Sequence, residues 1–295
     1  MSLLSGNFSI TFRIEPFVIQ LTTSIPSVMS SIENLYSDYT RLSPDFENFA
    51  DFHVSINPPR NLRRWYKPQV LFYADYVAPF KPLPLSQAYP LFEWGLNWCI
   101  ATSVHQYLII HAAVIEKNGK ALILCGHPGA GKSTLCAALL GAGWRLLSDE
   151  MAVVNLDTKK LLPIVRPVSL KNQSIDIIRN RMPDAVMGES FFDTAKGTVA
   201  HLKPPKSSVL QATAEAEPFW IVFPQFSPDH SSLSLEEIPK GQAVLSLAEN
   251  SFNYNVLGCE GFSCVCDLVE QCECHSVQYN DLNQAIELFG HWADA

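Results

Sequence analysis

The sequence is short of positive charge. Its 21 Lys and Arg residues stand against 29 Asp and Glu residues, which gives the 295-residue chain a formal net charge of −8. Proteins that bind nucleic acid need a basic surface to meet the phosphates, so we expect no nucleic-acid partner. Internal repeats and low-complexity segments are also absent. The 47% apolar content predicts a globular, soluble protein with one large domain or two modest ones.

Long apolar runs are missing as well. The most apolar longer stretch, residues 96–115, is interrupted by His105, Gln106 and His111, so it predicts no membrane span. The N-terminus has no basic start followed by a long apolar run, and therefore no signal peptide is expected. These absences predict a cytoplasmic protein without a membrane partner. In that compartment the eight cysteines are expected to be free thiols.

The sequence also lacks the paired C-x-x-C knuckles that are typical of structural zinc sites. Near the C-terminus the cysteines are dense, but their spacing is C-x₄-C-x-C-x₅-C-x-C-H. Buried thiols behave as small apolar residues, so this pattern favours packing and leaves metal binding open. The residues concerned are Cys259, Cys264, Cys266, Cys272, Cys274 and His275.

The strongest motif is Gly-His-Pro-Gly-Ala-Gly-Lys-Ser at residues 126–133, a complete G-x-x-x-x-G-K-S pattern. An apolar run at 121–125 precedes it and a helical run at 134–140 follows, which is the strand–loop–helix context that the motif requires. Its glycines let successive N–H groups point at one anion, and the helix start adds partial positive charge. The motif predicts a nucleoside-triphosphate site, with the nucleotide contacted by Gly126, His127, Pro128, Gly129, Ala130, Gly131, Lys132, Ser133 and Thr134.

In such loops the lysine reaches the β- and γ-phosphates and the serine hydroxyl binds Mg²⁺, so these roles fall on Lys132 and Ser133. Two adjacent acids, Asp149 and Glu150, follow Lys132 by 17 and 18 residues. One helix of about ten residues is about 15 Å long, so the next strand can return the acids to the phosphates. Neighbouring strand residues face opposite sides, and both acids can act together only if the strand ends or bends there.

The chemistry of the two acids has two possible interpretations. In a hydrolase, the pair would hold Mg²⁺ and polarise a water molecule. In a kinase, one acid would accept the proton of a substrate hydroxyl while the other supports the metal.

A hairpin is predicted just before the loop. Two strand-like runs, 107–116 and 120–125, flank Lys117-Asn118-Gly119, and Asn-Gly between apolar runs is a strong hairpin signal. The strand that feeds the loop should therefore pair antiparallel with its predecessor, whereas most loops of this type open a parallel sheet. The predicted fold is α/β, leaning to α+β, with a mixed, partly antiparallel sheet flanked by helices. His111 lies in the first run, where a histidine is more often a core residue than a functional one.

Two regions are expected. The sequence predicts an N-terminal α+β region of unknown role at residues 1–100 and the catalytic domain at residues 101–295. Alternating and helical periodicities support this division. The predicted strands are 8–14, 17–21, 52–56, 70–73, 144–154 and 219–223, and the predicted helices are 27–38, 86–104, 241–250 and 282–292.

Taken together, His111, the hairpin, the loop at 126–133 and Ser148-Asp149-Glu150 resemble the catalytic domain of HPr kinase/phosphorylase, and most closely the HprK-related kinase A group. The resemblance covers about residues 105–206. It implies that His111 is the active-site histidine and that Glu150 takes the place of the family's proton acceptor. Asp149 would be its acidic neighbour near the metal, so that Ser133 and Asp149 are the metal ligands.

The sequence departs from the family at three places. The second acid is Glu150 where the family has Asp. The family's Glu-Ile-Arg-Gly signature is represented by residues 164–167, of which only Arg166 is retained, and its Val-Arg-Pro-Gly-Arg loop is echoed weakly by residues 202–206. Arg166 and Lys203 are therefore the candidates for phosphate or substrate contacts, and reverse phosphorolysis is left open.

The resemblance implies an ATP- and Mg²⁺-dependent serine kinase that transfers the γ-phosphoryl group to a hydroxyl. The acceptor would be a small protein, a peptide or a serine-like metabolite, and assembly into a homo-oligomer is left open. Two alternatives stay open beside it: a P-loop NTPase switch and a non-catalytic nucleotide sensor.

Overall fold

The N-terminal part of the chain forms one sheet covered by two helices. The computed structural model describes residues 7–43, 49–229 and 232–295. In chain order the elements are β1 (Phe8–Ile14), β2 (Phe17–Thr23), α1 (Pro26–Leu35), β3 (Arg41–Leu42), β4 (Phe52–Asn57), β5 (Gln69–Ala74), β6 (Leu83–Pro84) and α2 (Ala88–Ser103), with single 3₁₀ turns at Leu62–Arg64 and Leu85–Gln87. The strands and helices predicted in this part of the chain are confirmed, with their ends shifted by a few residues.

This first sheet has the order β3-β1-β2-β4-β5-β6. Strands β1 and β2 form an antiparallel hairpin, and β2 pairs parallel with β4. Helices α1 and α2 bury their apolar residues against it in one cluster, which also takes in Ile109, Met151, Val153 and Ile164 from the rest of the chain. The core of the N-terminal sheet is thus shared with residues beyond 100, and the division at residue 100 stays a prediction.

The remainder of the chain contains the phosphate-loop motif. Its elements are β7 (Tyr107–Ile110), β8 (Ala112–Lys117), β9 (Lys120–Cys125), α3 (Lys132–Gly141), β10 (Arg145–Ser148), β11 (Ala152–Asn155), β12 (Leu161–Leu162), β13 (Val168–Lys171), α4 (Gln173–Arg181), β14 (Phe191–Thr194), β15 (Gly197–Leu202), α5 (Lys206–Leu210), β16 (Glu217–Phe226), β17 (Ser234–Glu237), α6 (Lys240–Glu249), α7 (Tyr254–Leu257), α8 (Cys259–Gln271), β18 (Glu273–Tyr279) and α9 (Leu282–Asp294).

The second sheet is mixed, as predicted. Its order is β10-β8-β9-β16-β18-β17, with β9 antiparallel to β8 and parallel to β16. Strand β9 is buried on both faces: Leu122 and Leu124 belong to the cluster beneath α3 and α9, whereas Ile123 and Cys125 belong to the cluster beneath α6 and α8. Helices on both sides of a mixed sheet confirm the predicted fold class.

Two predicted strands are wrong in their extent. The run 107–116 breaks at His111: β7 joins β11 and β12 in a separate three-stranded sheet, while β8 pairs with β9. The His111 amide donates to the carbonyl of Asn250 over 2.8 Å instead of continuing either ladder. The run 144–154 breaks between β10 and β11, where the Ser148 hydroxyl accepts the Met151 N–H over 3.1 Å and closes a turn.

A third difference concerns residues 202–206, which weakly resemble the family's Val-Arg-Pro-Gly-Arg loop. Leu202 lies in a strand, because His201 and Leu202 complete β15 and pair with Ser169 and Val168 of β13. In the part of the chain that the structure describes, no helix is long and apolar enough to cross a membrane.

Three of the five cysteines in the cysteine-rich segment pack in the apolar core, while Cys259 is exposed and Cys266 is half-buried. Cys264, Cys272 and Cys274 are buried in the cluster beneath α6 and α8, and all eight cysteines are free. Among residues 7–43, 49–229 and 232–295, no group of three or more His, Cys, Asp or Glu side chains is placed to hold a metal.

Candidate active site

The phosphate loop joins the end of β9 to the start of α3. Gly126, Gly129 and Gly131 all have positive φ, at 140°, 91° and 94°. Gly131 is the most constrained, because an added Cβ would lie 3.1 Å from Tyr279 Oη and 3.3 Å from Phe226 Cβ. A side chain at this position would therefore be strained in its backbone and crowded by its neighbours.

Lys132 is the first residue of α3, and its ammonium lies over the loop. Nζ donates to the carbonyl oxygens of Gly126 and His127, over 2.5 and 3.3 Å. The residue is only 8% exposed, and this burial lowers the pKa of Lys132 below the usual lysine value. The one cation of the motif is therefore held at the loop itself.

The two acids lie in the break between β10 and β11. Adjacent strand residues can act at one site only if the strand ends or bends beside them. The strand does end here, so both carboxylates can reach the same site. Asp149 and Glu150 line a cleft of about 440 Å³, which we call the loop cleft. Its other walls are His111, residues 127–129 and 131–134, Ser169, residues 171, 172 and 174, and Lys196. All four predicted catalytic residues, His111, Lys132, Asp149 and Glu150, thus reach the same cleft.

Asp149 is buried against the serine of the loop. Burial and the neighbouring Glu150 carboxylate together raise the pKa of Asp149 to about 7, against hydrogen bonds from the Ser169 amide and the Ser133 hydroxyl that lower it. The Ser169 N–H donates to Oδ2 over 2.9 Å. Within the described residues, Oδ1 has no hydrogen-bond partner. Asp149 therefore titrates near neutral pH and keeps one buried oxygen free to accept a ligand.

Glu150 behaves differently. Burial alone would raise its pKa, but the surrounding cations outweigh that effect and lower the pKa of Glu150 below the usual range. The cations that act on it are Lys196, Lys171 and Arg166. Two adjacent carboxyl groups whose pKa values are pushed apart form the pattern of an acid–base pair.

His111 lies at the junction of β7 and β8, with its ring centroid 5.8 Å from that of Phe252. Burial lowers the pKa of His111, and Lys132 lowers it further against the opposing effect of Glu150. The imidazole is therefore neutral at pH 7 and presents one donor and one acceptor nitrogen.

Two cations that line the cleft were not predicted from the sequence. Lys171 ends β13, and Lys196 lies in the turn between β14 and β15. The Lys196 ammonium lies 5.2 Å from the centroid of the Trp94 ring. Neither lysine belongs to a motif, and only the pairing of β13 with β15 brings both to the loop, so no local signal could have found them.

Arg166 and Lys203 are not brought to the loop cleft. The Arg166 guanidinium is 2.7 Å from Glu93 Oε2, and Arg166 lines a separate cavity of about 20 Å³ that shares Asp149, Glu150 and Ser169 with the loop cleft. We call this the rear cavity. The Lys203 ammonium is 2.6 Å from Asp38 Oδ2. Each cation is held by an acid of the N-terminal region, which is why neither extends toward the loop.

The loop residues separate two cavities. Residues 127–129 and 131–134 face the loop cleft, whereas Gly126 and Ala130 face a neighbouring cavity of about 700 Å³ that His127 and Gly129 also reach. Phe226 and the acids Glu236 and Glu237 form part of that second cavity.

Comparison with known proteins gives two similarities. A family model described as "SynChlorMet cassette protein ScmC" matches residues 96–161, which include the hairpin, the loop and both acids. Among solved structures, the chain is similar to the HPr(Ser) kinase/phosphatase from Coxiella burnetii, with 13% identity over 61% of this chain and 90% of that chain and a TM-score of 0.28. Curated proteins give no match.

The matching family model is not that of the HPr kinases, so the resemblance to HPr kinases and the narrower assignment to the HprK-related kinase A group both stay predictions.

Proposed function

We propose that this chain is an ATP- and Mg²⁺-dependent kinase that transfers the γ-phosphoryl group to a hydroxyl. One observation carries the proposal: the break between β10 and β11 brings an ionised Glu150 and a buried Asp149 to the same cleft as the loop's Lys132 and Ser133. A nucleotide-binding loop alone would serve any triphosphate chemistry. Transfer to a hydroxyl also needs a group that accepts the hydroxyl proton, and an ionised carboxylate beside the loop can do so.

The residues fit a magnesium ion. Mg²⁺ is usually held by one or two carboxylates together with substrate phosphates and waters, not by a complete protein cage. Ser133 and Asp149 supply a hydroxyl and a carboxylate in contact, and the free Oδ1 of Asp149 is a ready ligand atom. When bound there, the ion would neutralise phosphate charge.

Glu150 is proposed as the base. Its carboxylate accepts the proton of the acceptor hydroxyl as the hydroxyl oxygen forms a bond to the γ-phosphorus. The bond from that phosphorus to the bridging oxygen breaks, and ADP leaves with the bonding electrons. Lys132, Lys171 and Lys196 stabilise the negative charge on the transferring oxygens, and the neutral His111 adds a hydrogen bond.

The proposed acceptor is the hydroxyl of a serine, carried by a small protein, a peptide or a serine-like metabolite. Both this choice and the use of ATP rest on the resemblance noted in the sequence. The cleft supports only the coarser statement that a hydroxyl beside Glu150 can be deprotonated and phosphorylated.

The deciding experiment is phosphoryl transfer with and without the loop lysine. The protein is incubated with γ-labelled ATP, Mg²⁺ and a lysate of its own host, and the labelled product is identified. We expect Lys132→Ala to abolish labelling, because the variant loses the cation that contacts the β- and γ-phosphates. Lys81→Ala, which removes an exposed lysine outside the cleft, should label as the wild type does. Undiminished labelling by Lys132→Ala would contradict the proposal.

The same assay separates the two alternatives. The Glu150 carboxylate could equally polarise a water molecule, so a switch that hydrolyses ATP would release ADP at an unchanged rate without the lysate. A nucleotide sensor would bind ATP and form no ADP. Either result would replace the kinase assignment.

A further inference from the structure

Helix α2, which belongs to the N-terminal region, contacts the proposed base directly. The side-chain amide nitrogen Nδ2 of Asn97 donates a hydrogen bond to Glu150 Oε2. The amide oxygen Oδ1 accepts a hydrogen bond from Arg166 Nη1 over 2.5 Å. Asn97 therefore bridges the carboxylate and the guanidinium with both ends of its amide.

The guanidinium is itself fixed from behind. Arg166 Nη2 donates to Glu93 Oε2 over 2.7 Å and to the Glu93 carbonyl oxygen over 2.9 Å. Glu93 is only 2% exposed, and its other oxygen accepts hydrogen bonds from Tyr36 and Tyr89 over 2.8 and 2.6 Å. The acid is thus held by a cation and two phenols, and Arg166 has little freedom to move.

This arrangement determines which way the Asn97 amide points. Arg166 carries only donors, so the amide must present its oxygen to the guanidinium. The amide NH₂ then faces Glu150, whose carboxylate carries only acceptors. The reversed amide would oppose donor to donor and acceptor to acceptor at the same time, which excludes it.

Glu150 lies between the two cavities. It lines the rear cavity together with Asn97 and Arg166, and it lines the loop cleft together with Lys132 and Lys196. We propose that Asn97 is a positioning residue that holds Glu150 from the rear cavity, so that the carboxylate faces the acceptor hydroxyl in the loop cleft. The inference rests on the proposed function, in which Glu150 is the base. Helix α2 then contributes a positioning residue to the active site.

The test measures the steady-state rate of acceptor labelling from γ-labelled ATP and Mg²⁺ in the host lysate at varied ATP concentration, together with thermal unfolding. Asn97→Leu keeps the number and branching of the side-chain heavy atoms and removes both hydrogen bonds. Because the effect acts through the orientation of Glu150, we expect kcat to fall by about tenfold, the lower end of what partners of this kind contribute. The KM for ATP should stay within about twofold, since the nucleotide contacts the loop and not Glu150. Asn97→Gln, which keeps the amide, should recover most of the lost kcat.

A second variant guards against misfolding of the first. Asn97→Ser keeps a small polar side chain, but its hydroxyl is one bond too short to reach Glu150 as the amide does, so kcat should fall in a folded protein. Asn34→Leu makes the same change on an exposed face of α1 and should leave kcat unchanged.

Folded Asn97→Leu and Asn97→Ser variants with wild-type kcat would overturn the inference, as would a kcat that falls only in proportion to lost folded protein. Absence of any ADP formation or acceptor labelling by the wild type would instead contradict the proposed function.

Discussion

At the scale of single residues, Asp149 and Glu150 share a strand break but differ in ionisation. Glu150 is surrounded by cations, whereas Asp149 has the burial without comparable compensation. A buried acid that is neutral up to about pH 7 lowers the stability of the folded state once it must ionise. The buried Asp149 carboxyl therefore lowers the free energy of unfolding while it keeps a ligand atom available, a combination that is common at functional sites.

The replacement of Asp149 by Asn tests this point. The ordinary aspartate pKa is about 3.9, so between about pH 4 and pH 7 the folded protein holds a proton on Asp149 that the unfolded chain has released. Stability conferred by this group is complete below pH 4 and is lost as the pH rises through 7. We therefore expect the Tm of Asp149→Asn to exceed that of the wild type by several degrees at about pH 8, and the two to converge near pH 4.

Thermal unfolding across that pH range supplies the measurement. Asp184→Asn, at an exposed position, should leave Tm unchanged at every pH. A Tm difference for Asp149→Asn that is absent, or that stays constant with pH, would show that this carboxyl does not titrate as described.

At the scale of elements, helix α2 has two functions. It packs on β5 of the first sheet, and it carries Glu93 and Asn97 toward the acids. Its closest approach to the sheet is at Gly95, where an added Cβ would lie 2.1 Å from Cε2 of the buried Phe72 ring. The position of the helix is therefore set by the lack of a side chain at residue 95.

Gly95→Ala should move the helix away from β5 or displace the ring. Overpacking of this kind costs about 1–3 kcal/mol, so we expect Tm to fall and, because Asn97 moves with the helix, kcat to fall too. Gly290→Ala is the matched control: it lies in α9 with nothing within 4 Å, and the same change should stabilise by about 0.5–1 kcal/mol. Equal or higher Tm for Gly95→Ala would show that this packing contact is not restrictive.

Elements were predicted well wherever the signal was local. The loop, the hairpin turn at Asn118-Gly119 and the helix after Lys132 follow from residues that are neighbours in sequence. The strand breaks at His111 and at Asp149 could not be predicted, because an apolar run that changes from one sheet to another keeps the same alternation on both sides of the break. What interrupts it is a partner far away, such as the carbonyl of Asn250.

At the scale of the whole molecule, the same reasoning explains which site residues could be predicted from the sequence. His111, Lys132, Asp149 and Glu150 belong to a local pattern, and a resemblance could therefore carry them. Lys171, Lys196 and Asn97 come to the acids only through sheet pairing and helix packing over long separations. Arg166 and Lys203 had the right charge, but buried or half-buried acids of the N-terminal region hold them elsewhere.

These long-range contacts bear on the expected domain boundary at residue 100. A fragment of residues 101–295 would contain Arg166 without Glu93 and Glu150 without Asn97. Leaving one member of a buried ion pair alone costs about 3–5 kcal/mol, and Ile109, Met151 and Ile164 would also lose their packing partners in the N-terminal core. Since natural domains are stable by only about 5–15 kcal/mol, the two losses together are comparable with the whole stability.

We therefore expect the fragment 101–295 to lack a cooperative unfolding transition and to label no acceptor from γ-labelled ATP in the host lysate, whereas the full chain should do both. Thermal unfolding followed by circular dichroism, with acceptor labelling measured on the same samples, checks this. Addition of separately prepared residues 1–100 should restore part of the transition, because the missing helix carries the acid that neutralises Arg166. A fragment that unfolds cooperatively at the temperature of the full chain and turns over ATP at the same rate would establish residues 101–295 as an independent catalytic domain, and helix α2 would then be dispensable to it.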